Sequence, residues 1–178
     1  MGKSRNKKKV ATYLNFTLIF LLLFCILLTG IPSYWTILKL TNREMVNRLQ
    51  TIAQAAEIII DGDRLAELGT GDEVEPYYKE LYQKLLRLKE NTGASYIYTM
   101  RLVDGKPAFI VDADPAEGNP INQGYDVYEP EMQAAFEGKM AVNPKPIYDP
   151  SLKLWSRSAY LPVLDSNGNV VAIVGVDI

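Results

Sequence analysis

Asp112 and Asp114 stand two residues apart at the end of a run of β-forming residues. Alternation along a strand would put both side chains on one side, and paired carboxylates can share acid–base work or hold a metal. A membrane-anchored extracytoplasmic hydrolase using Asp112 and Asp114 is therefore one reading, and a membrane-tethered protein-interaction module that binds no small molecule is another. The rest of the sequence supplies little to support the hydrolase. There is no histidine, the commonest general base and zinc ligand. The one cysteine, Cys25, sits in an apolar run, and no Gly-x-Ser-x-Gly nucleophile turn exists. No third acid is spaced to complete a metal site. The favoured reading is a hairpin-end pair that caps the next loop, with Asp112 kept as a ligand contact. No catalytic residue, metal or cofactor is expected.

Asp61-Gly62-Asp63 has the acids of a calcium loop but not its further oxygen ligands, so it reads as a helix cap and turn. Gly69 and Gly71 do not continue into a phosphate-binding motif. Farther on, Arg157 is the one strong cation near a strand-like run, and its planar fork would suit a carboxylate ligand. Alternation puts Trp155, Arg157 and Ala159 on one face and Ser156, Ser158 and Tyr160 on the other. Which face meets a pocket stays open, and a solvent-facing Arg157 is the competing reading.

The elements that must position these residues begin with a membrane anchor. Residues 10–38 carry no charge, and 14–28 are almost entirely Leu, Ile and Phe. About 20 apolar residues suffice to span a bilayer as a helix. Tyr13, Tyr34 and Trp35 bracket the run, and Lys3, Arg5, Lys7, Lys8 and Lys9 precede it, which predicts a cytoplasmic N-terminus. The run is too long for a signal peptide and lacks its small-residue cleavage site. Removing those five cations from the 19 Lys and Arg leaves 14 against 21 Asp and Glu, an acidic body unsuited to nucleic acid.

Beyond the anchor, Leu38, Met45, Leu49, Ile52, Ala56 and Ile59 form an apolar stripe at helical spacing. Such a stalk can pack on its own domain or on a twin, and a homodimer through it is expected. Pro76 opens a second helix, with Tyr78, Leu81, Tyr82, Leu85 and Leu88 as its stripe, and Gly93 closes it. Then the period changes to two. Residues 95–103 and 107–112 flank an Asp-Gly turn, and 155–164 and 170–178 flank an Asn-Gly turn, giving two hairpins. Between them lies an irregular segment, 113–153, in which only 129–137 reads as helix. The class is α+β, an antiparallel sheet with helices on one side.

Three stretches carry a family resemblance: Tyr96-Ile-Tyr-Thr-Met100 before its Asp-Gly turn, Phe109-Ile-Val-Asp-Ala-Asp114, and Ser158-Ala-Tyr-Leu-Pro-Val-Leu with Asn-Gly and Val174-Gly-Val-Asp-Ile178. Together they resemble the Cache family, PAS-like extracytoplasmic sensor domains of bacterial chemoreceptors, sensor kinases and cyclases. The resemblance implies a five-stranded antiparallel sheet and a small-molecule pocket between sheet and variable segment. It also implies a second membrane helix and an output domain beyond residue 178, so the chain is expected to be part of a longer receptor. Expected boundaries are a cytoplasmic tail over 1–9, a transmembrane helix over 10–35, stalk and second helix over 36–93, and sheet over 94–178, with 36–178 outside the inner membrane. By resemblance Tyr98, Met100, Ser158 and Tyr160 line the pocket, and Tyr148 and Asp149 match a polar position of the family. With Arg157 and Asp112 they make the expected site, for a small molecule such as a carboxylate. The Arg-x-Trp-Tyr amino-acid signature of some relatives is absent.

Overall fold

The computed structural model describes residues 2–116, 118–149 and 154–178, with side chains over 13–116, 118–148 and 155–178. The chain divides into two units, Met1–Met45 and Val46–Ile178. Helix α1, Gly2–Ile59, contains Pro32. In the first unit every large apolar side chain from Tyr13 to Leu40 is exposed, and the helix is long and apolar enough to cross a membrane.

In the second unit, Leu49, Ile52, Ala53 and Ala56 of α1 are buried, so this part of the stripe packs on its own domain. At Asp61 the chain turns. Its carboxylate caps α2, Gly62–Glu67, by accepting from the Arg64 amide at 3.2 Å. The Tyr77 hydroxyl pins the same turn, donating to the Asp61 carbonyl and accepting from its amide. Tyr77 was not in the expected stripe, yet it is buried with Leu81 and Leu85 on α3, Pro76–Thr92. Gly93 ends α3 at a positive φ of 66°, where a glycine carries no Cβ penalty.

The strands β1 (Tyr96–Val103), β2 (Lys106–Asp112), β3 (Ala141–Val142), β6 (Ser158–Leu164) and β7 (Val170–Asp177) form one sheet in the order β2-β1-β7-β6-β3, with every neighbouring pair antiparallel. Asp104 and Gly105 both take positive φ in the β1–β2 turn, as expected of Asp-Gly. Alternation splits the side chains cleanly. Ile97, Ala159, Val174 and Val176 join α1, α2 and α3 in the larger core, while Tyr98, Met100, Tyr160 and Ile173 meet α4, Pro130–Phe136, on the opposite face.

Two expectations need correction. The run 155–164 is not one strand: β5, Leu154–Ser156, leaves the sheet to pair with β4, Ile147–Asp149, and β6 starts after Arg157. Alternation continues unbroken through the junction, so the change of partner left no mark in the pattern. The segment 113–153 also contributes more than a helix, because β3 supplies the fifth strand and β4 half of the small ribbon. Residues 150–153 of that segment lie outside those described.

Candidate ligand-binding cleft

Gly175 on β7 pairs with Tyr98 on β1 and with Tyr160 on β6. Two tyrosines thus flank a residue without a side chain in the central strand, on the sheet face away from α1. Two residues along β7, on the same face, stands Asp177. The Tyr98 hydroxyl donates to Asp177 Oδ1 at 3.3 Å, and the Tyr160 hydroxyl donates to Glu129 Oε2 at 3.3 Å. Burial first, and then the Asp177 carboxylate, hold both phenols well above their ordinary value. They are neutral donors at any physiological pH.

Above this floor opens a cleft of about 320 Å³, the size of a small-molecule site. Ser158 completes the floor. Tyr125, Asp126 and Glu129 of the variable segment form one wall, and Ile147, Tyr148 and Ser156 of the β4–β5 ribbon form another. Among the described lining residues there are three carboxylates, Asp126, Glu129 and Asp177, and no cation.

Asn143, fully buried, holds the wall to the sheet. Its Nδ2 donates to Glu129 Oε2 at 2.8 Å and Glu131 Oε2 at 3.2 Å, while its Oδ1 accepts from the Ser158 amide at 3.0 Å. Arg157 grips the same loop from behind. It is only 3% exposed, and its guanidinium donates to the carbonyls of Asn143 at 2.6 Å and Pro144 at 3.0 Å. Arg157 is therefore neither a solvent-facing residue nor a cleft-lining one. The junction at which β5 departs aims its side chain at the loop.

Of the other expected site residues, Tyr98, Tyr148, Ser158 and Tyr160 meet in the cleft. Met100 does not line it, being fully buried beneath with Phe109 and Met132. Asp149 belongs to β4, but its side chain lies outside those described. Asp112 lines a different depression, beside Tyr78 and Tyr82 of α3. Its Oδ2 accepts from the amide and side chain of Asn119 at 3.1 and 2.7 Å, and Asp114 Oδ1 accepts from the Ala116 amide at 2.9 Å. Lys89 lies 3.4 Å from Asp114. Both carboxylates close the loop after β2, as the capping reading expected. Nothing in this arrangement supports a hydrolase.

Sequence reasoning missed Asp177, Glu129 and Asn143. Asp177 did leave a signal, being the only acid in the apolar run of β7. Glu129 precedes a helix and resembles an ordinary helix-start residue, and Asn143 has no local pattern at all.

No protein-family model matches this sequence. No curated protein matches it either. Solved structures do. The ligand-binding domain of the Campylobacter jejuni chemoreceptor Tlp3 in complex with L-valine aligns at 19% identity over 79% of this chain and 56% of its own, with a TM-score of 0.52. The periplasmic sensory domain of Campylobacter jejuni Tlp1 aligns at 12% identity over 82% and 56%, TM-score 0.52. The sensor domain of the Vibrio cholerae histidine kinase DctB aligns at 10% identity over 79% and 56%, TM-score 0.51. The chain spans a little over half the length of these domains. The fold expected from the sequence, a long N-terminal helix leading into the PAS-like sheet of bacterial sensory domains, is the fold observed.

Proposed function

We propose that this chain is the membrane-anchored sensor part of a bacterial signalling receptor of the Cache family, and that its cleft takes a small organic cation. The observation that carries the ligand class is the lining: three carboxylates and two neutral phenols, with no cation among the described residues. An ammonium group placed there gains charge-assisted hydrogen bonds to carboxylates already brought together. The Tlp3 domain, solved with L-valine and with isoleucine bound, takes ligands that carry such a group. Among the described lining residues an α-carboxylate meets no cation, and Arg157, the reason to expect a carboxylate ligand, donates to loop carbonyls behind the cleft. An amine, or an amino acid held through its ammonium end, suits this cleft better than a dicarboxylate.

The apolar stretch of α1 anchors the chain in the inner membrane with residues 36–178 outside. Leu38 of the stalk stripe stays 43% exposed, which supports pairing of this stretch with a twin helix. Kinase, chemoreceptor or cyclase output belongs to the longer receptor.

Thermal-shift titration of the whole chain in nanodiscs against propylamine, putrescine, choline, L-valine and succinate tests the ligand class. A ligand at one hundred times its Kd stabilises by about 2.7 kcal/mol through mass action. The expected result is a dose-dependent rise with an amine that Asp177→Asn abolishes. A response confined to succinate, or one that Asp177→Asn leaves intact, would overturn the cation assignment.

A further inference from the structure

Gly175 is the one glycine in β7, and its φ is not positive, so its backbone does not call for glycine. Space does. A Cβ built there would lie 2.6 Å from Tyr98 Cζ and 2.9 Å from Tyr98 Oη, with Cε2 closer still. One edge of the phenol ring, with its hydroxyl, occupies the room that this missing side chain leaves. The ring is held from the side by Phe109, edge to face at 5.7 Å, and Phe109 is held in turn by Tyr125 at 5.7 Å.

We infer that Gly175 is a positioning and specificity-determining residue of the ligand site: it lowers the Tyr98 ring onto the sheet, which delivers the hydroxyl to Asp177 and keeps the floor of the cleft deep. This rests on the proposed ligand-binding role of the cleft. Any side chain at 175 lifts the ring away from the sheet, and the cleft is the space on that side. The lifted ring occupies volume meant for ligand and withdraws its hydroxyl from Asp177. Position 175 thereby sets how large a head group the cleft accepts, without touching the ligand.

A mutant cycle separates this role from ordinary strand packing. Alanine at a strand position with permissive backbone ordinarily stabilises slightly, because the unfolded chain loses freedom. Here Gly175→Ala is expected to lower the Tm of the whole chain by about 5 °C through overpacking. The same penalty is expected in a Tyr98→Phe background, where the ring remains. In a Tyr98→Leu background the substitution becomes neutral or stabilising, and this double variant keeps the test valid should Gly175→Ala alone fail to fold. Affinity for the amine that shifts the wild type falls about tenfold or more in Gly175→Ala, the loss of roughly one charge-assisted contact. The Tyr98→Leu double variant recovers stability, and the affinity loss in a folded Gly175→Ala chain that keeps Tyr98 is the readout that a merely structural role would not move. An equal cost of Gly175→Ala in the wild-type and Tyr98→Leu backgrounds, or unchanged affinity in a folded Gly175→Ala chain, overturns the inference. The stability cycle needs no ligand, so a wild type that responds to no amine would defeat the cation assignment while the positioning of the Tyr98 ring by Gly175 is still decided.

Discussion

Asp112 is a buried carboxylate whose two hydrogen bonds both fall on one oxygen. Burial raises its pKa above the ordinary 3.8 despite those bonds. For a group with a raised folded value, the native state binds the proton more tightly than the unfolded one. Its stabilising contribution is complete below pH 3.8 and is lost as pH rises through the raised value. At neutral pH the charged side chain is a cost. An amide oxygen can accept both Asn119 bonds, so Asp112→Asn should be neutral or stabilising by up to about 1 kcal/mol at pH 7. Its advantage should shrink as the pH is lowered toward 4, read by urea denaturation at each pH. A loss of several kcal/mol at pH 7 would mean that the ionised group holds the loop. The sequence could offer Asp112 as a site residue because it records an acid at a strand end and nothing of the Asn119 that occupies it. Arg157 misled for a related reason: alternation yields two faces, and only the departure of β5 decides what each one meets. Tyr98, Ser158 and Tyr160 sit inside regular strands, where period two fixes which side chains share a face, and the family resemblance alone chose the face that borders the cleft.

Among the elements, α2 is held unusually close to the sheet. A Cβ on Gly62 would lie 2.7 Å from the Leu164 carbonyl carbon, and nearer to its oxygen. Both partners are backbone, so no side chain can swing aside. Arg101 on β1 ties the other end of α2 by donating to the carbonyls of Leu65 at 3.3 Å, Ala66 at 3.4 Å and Leu68 at 2.6 Å. Gly62→Ala should therefore cost about 3 kcal/mol, the upper end of overpacking. Chemical denaturation would measure it, and a cost below about 0.5 kcal/mol would show that α2 can shift freely. Asp61-Gly62-Asp63 announced a turn, and the Asp61 cap followed, but the reason for glycine lies 102 residues later at Leu164. The same distinction runs through the fold. Helices with stripes and strands joined by Asp-Gly or Asn-Gly turns were legible, since local residues determine them. The two-residue β3 and the β4–β5 ribbon were not, because strands that short exist only through their partners.

For the whole molecule, one charge asymmetry carries the orientation. The five cations of residues 3–9 precede an uncharged run, and the remainder of the chain is acidic. Cytoplasmic loops next to membrane helices retain Lys and Arg, and acidic residues count little toward that rule. The tail should stay inside and the sheet should lie outside, where a ligand reaches the cleft without crossing the bilayer. Cys25 is the only thiol, so a Cys25→Ser background allows single-site labelling. In intact cells a membrane-impermeant maleimide should modify Asn167→Cys, at the exposed β6–β7 turn. Ser4→Cys should react only after the membrane is opened. The reverse pattern would put the cleft in the cytoplasm, and the proposed receptor would then have to sense a metabolite of its own cell. Labelling of both sites in intact cells would mean that the apolar run does not span the bilayer, and the anchor proposal would fall with it.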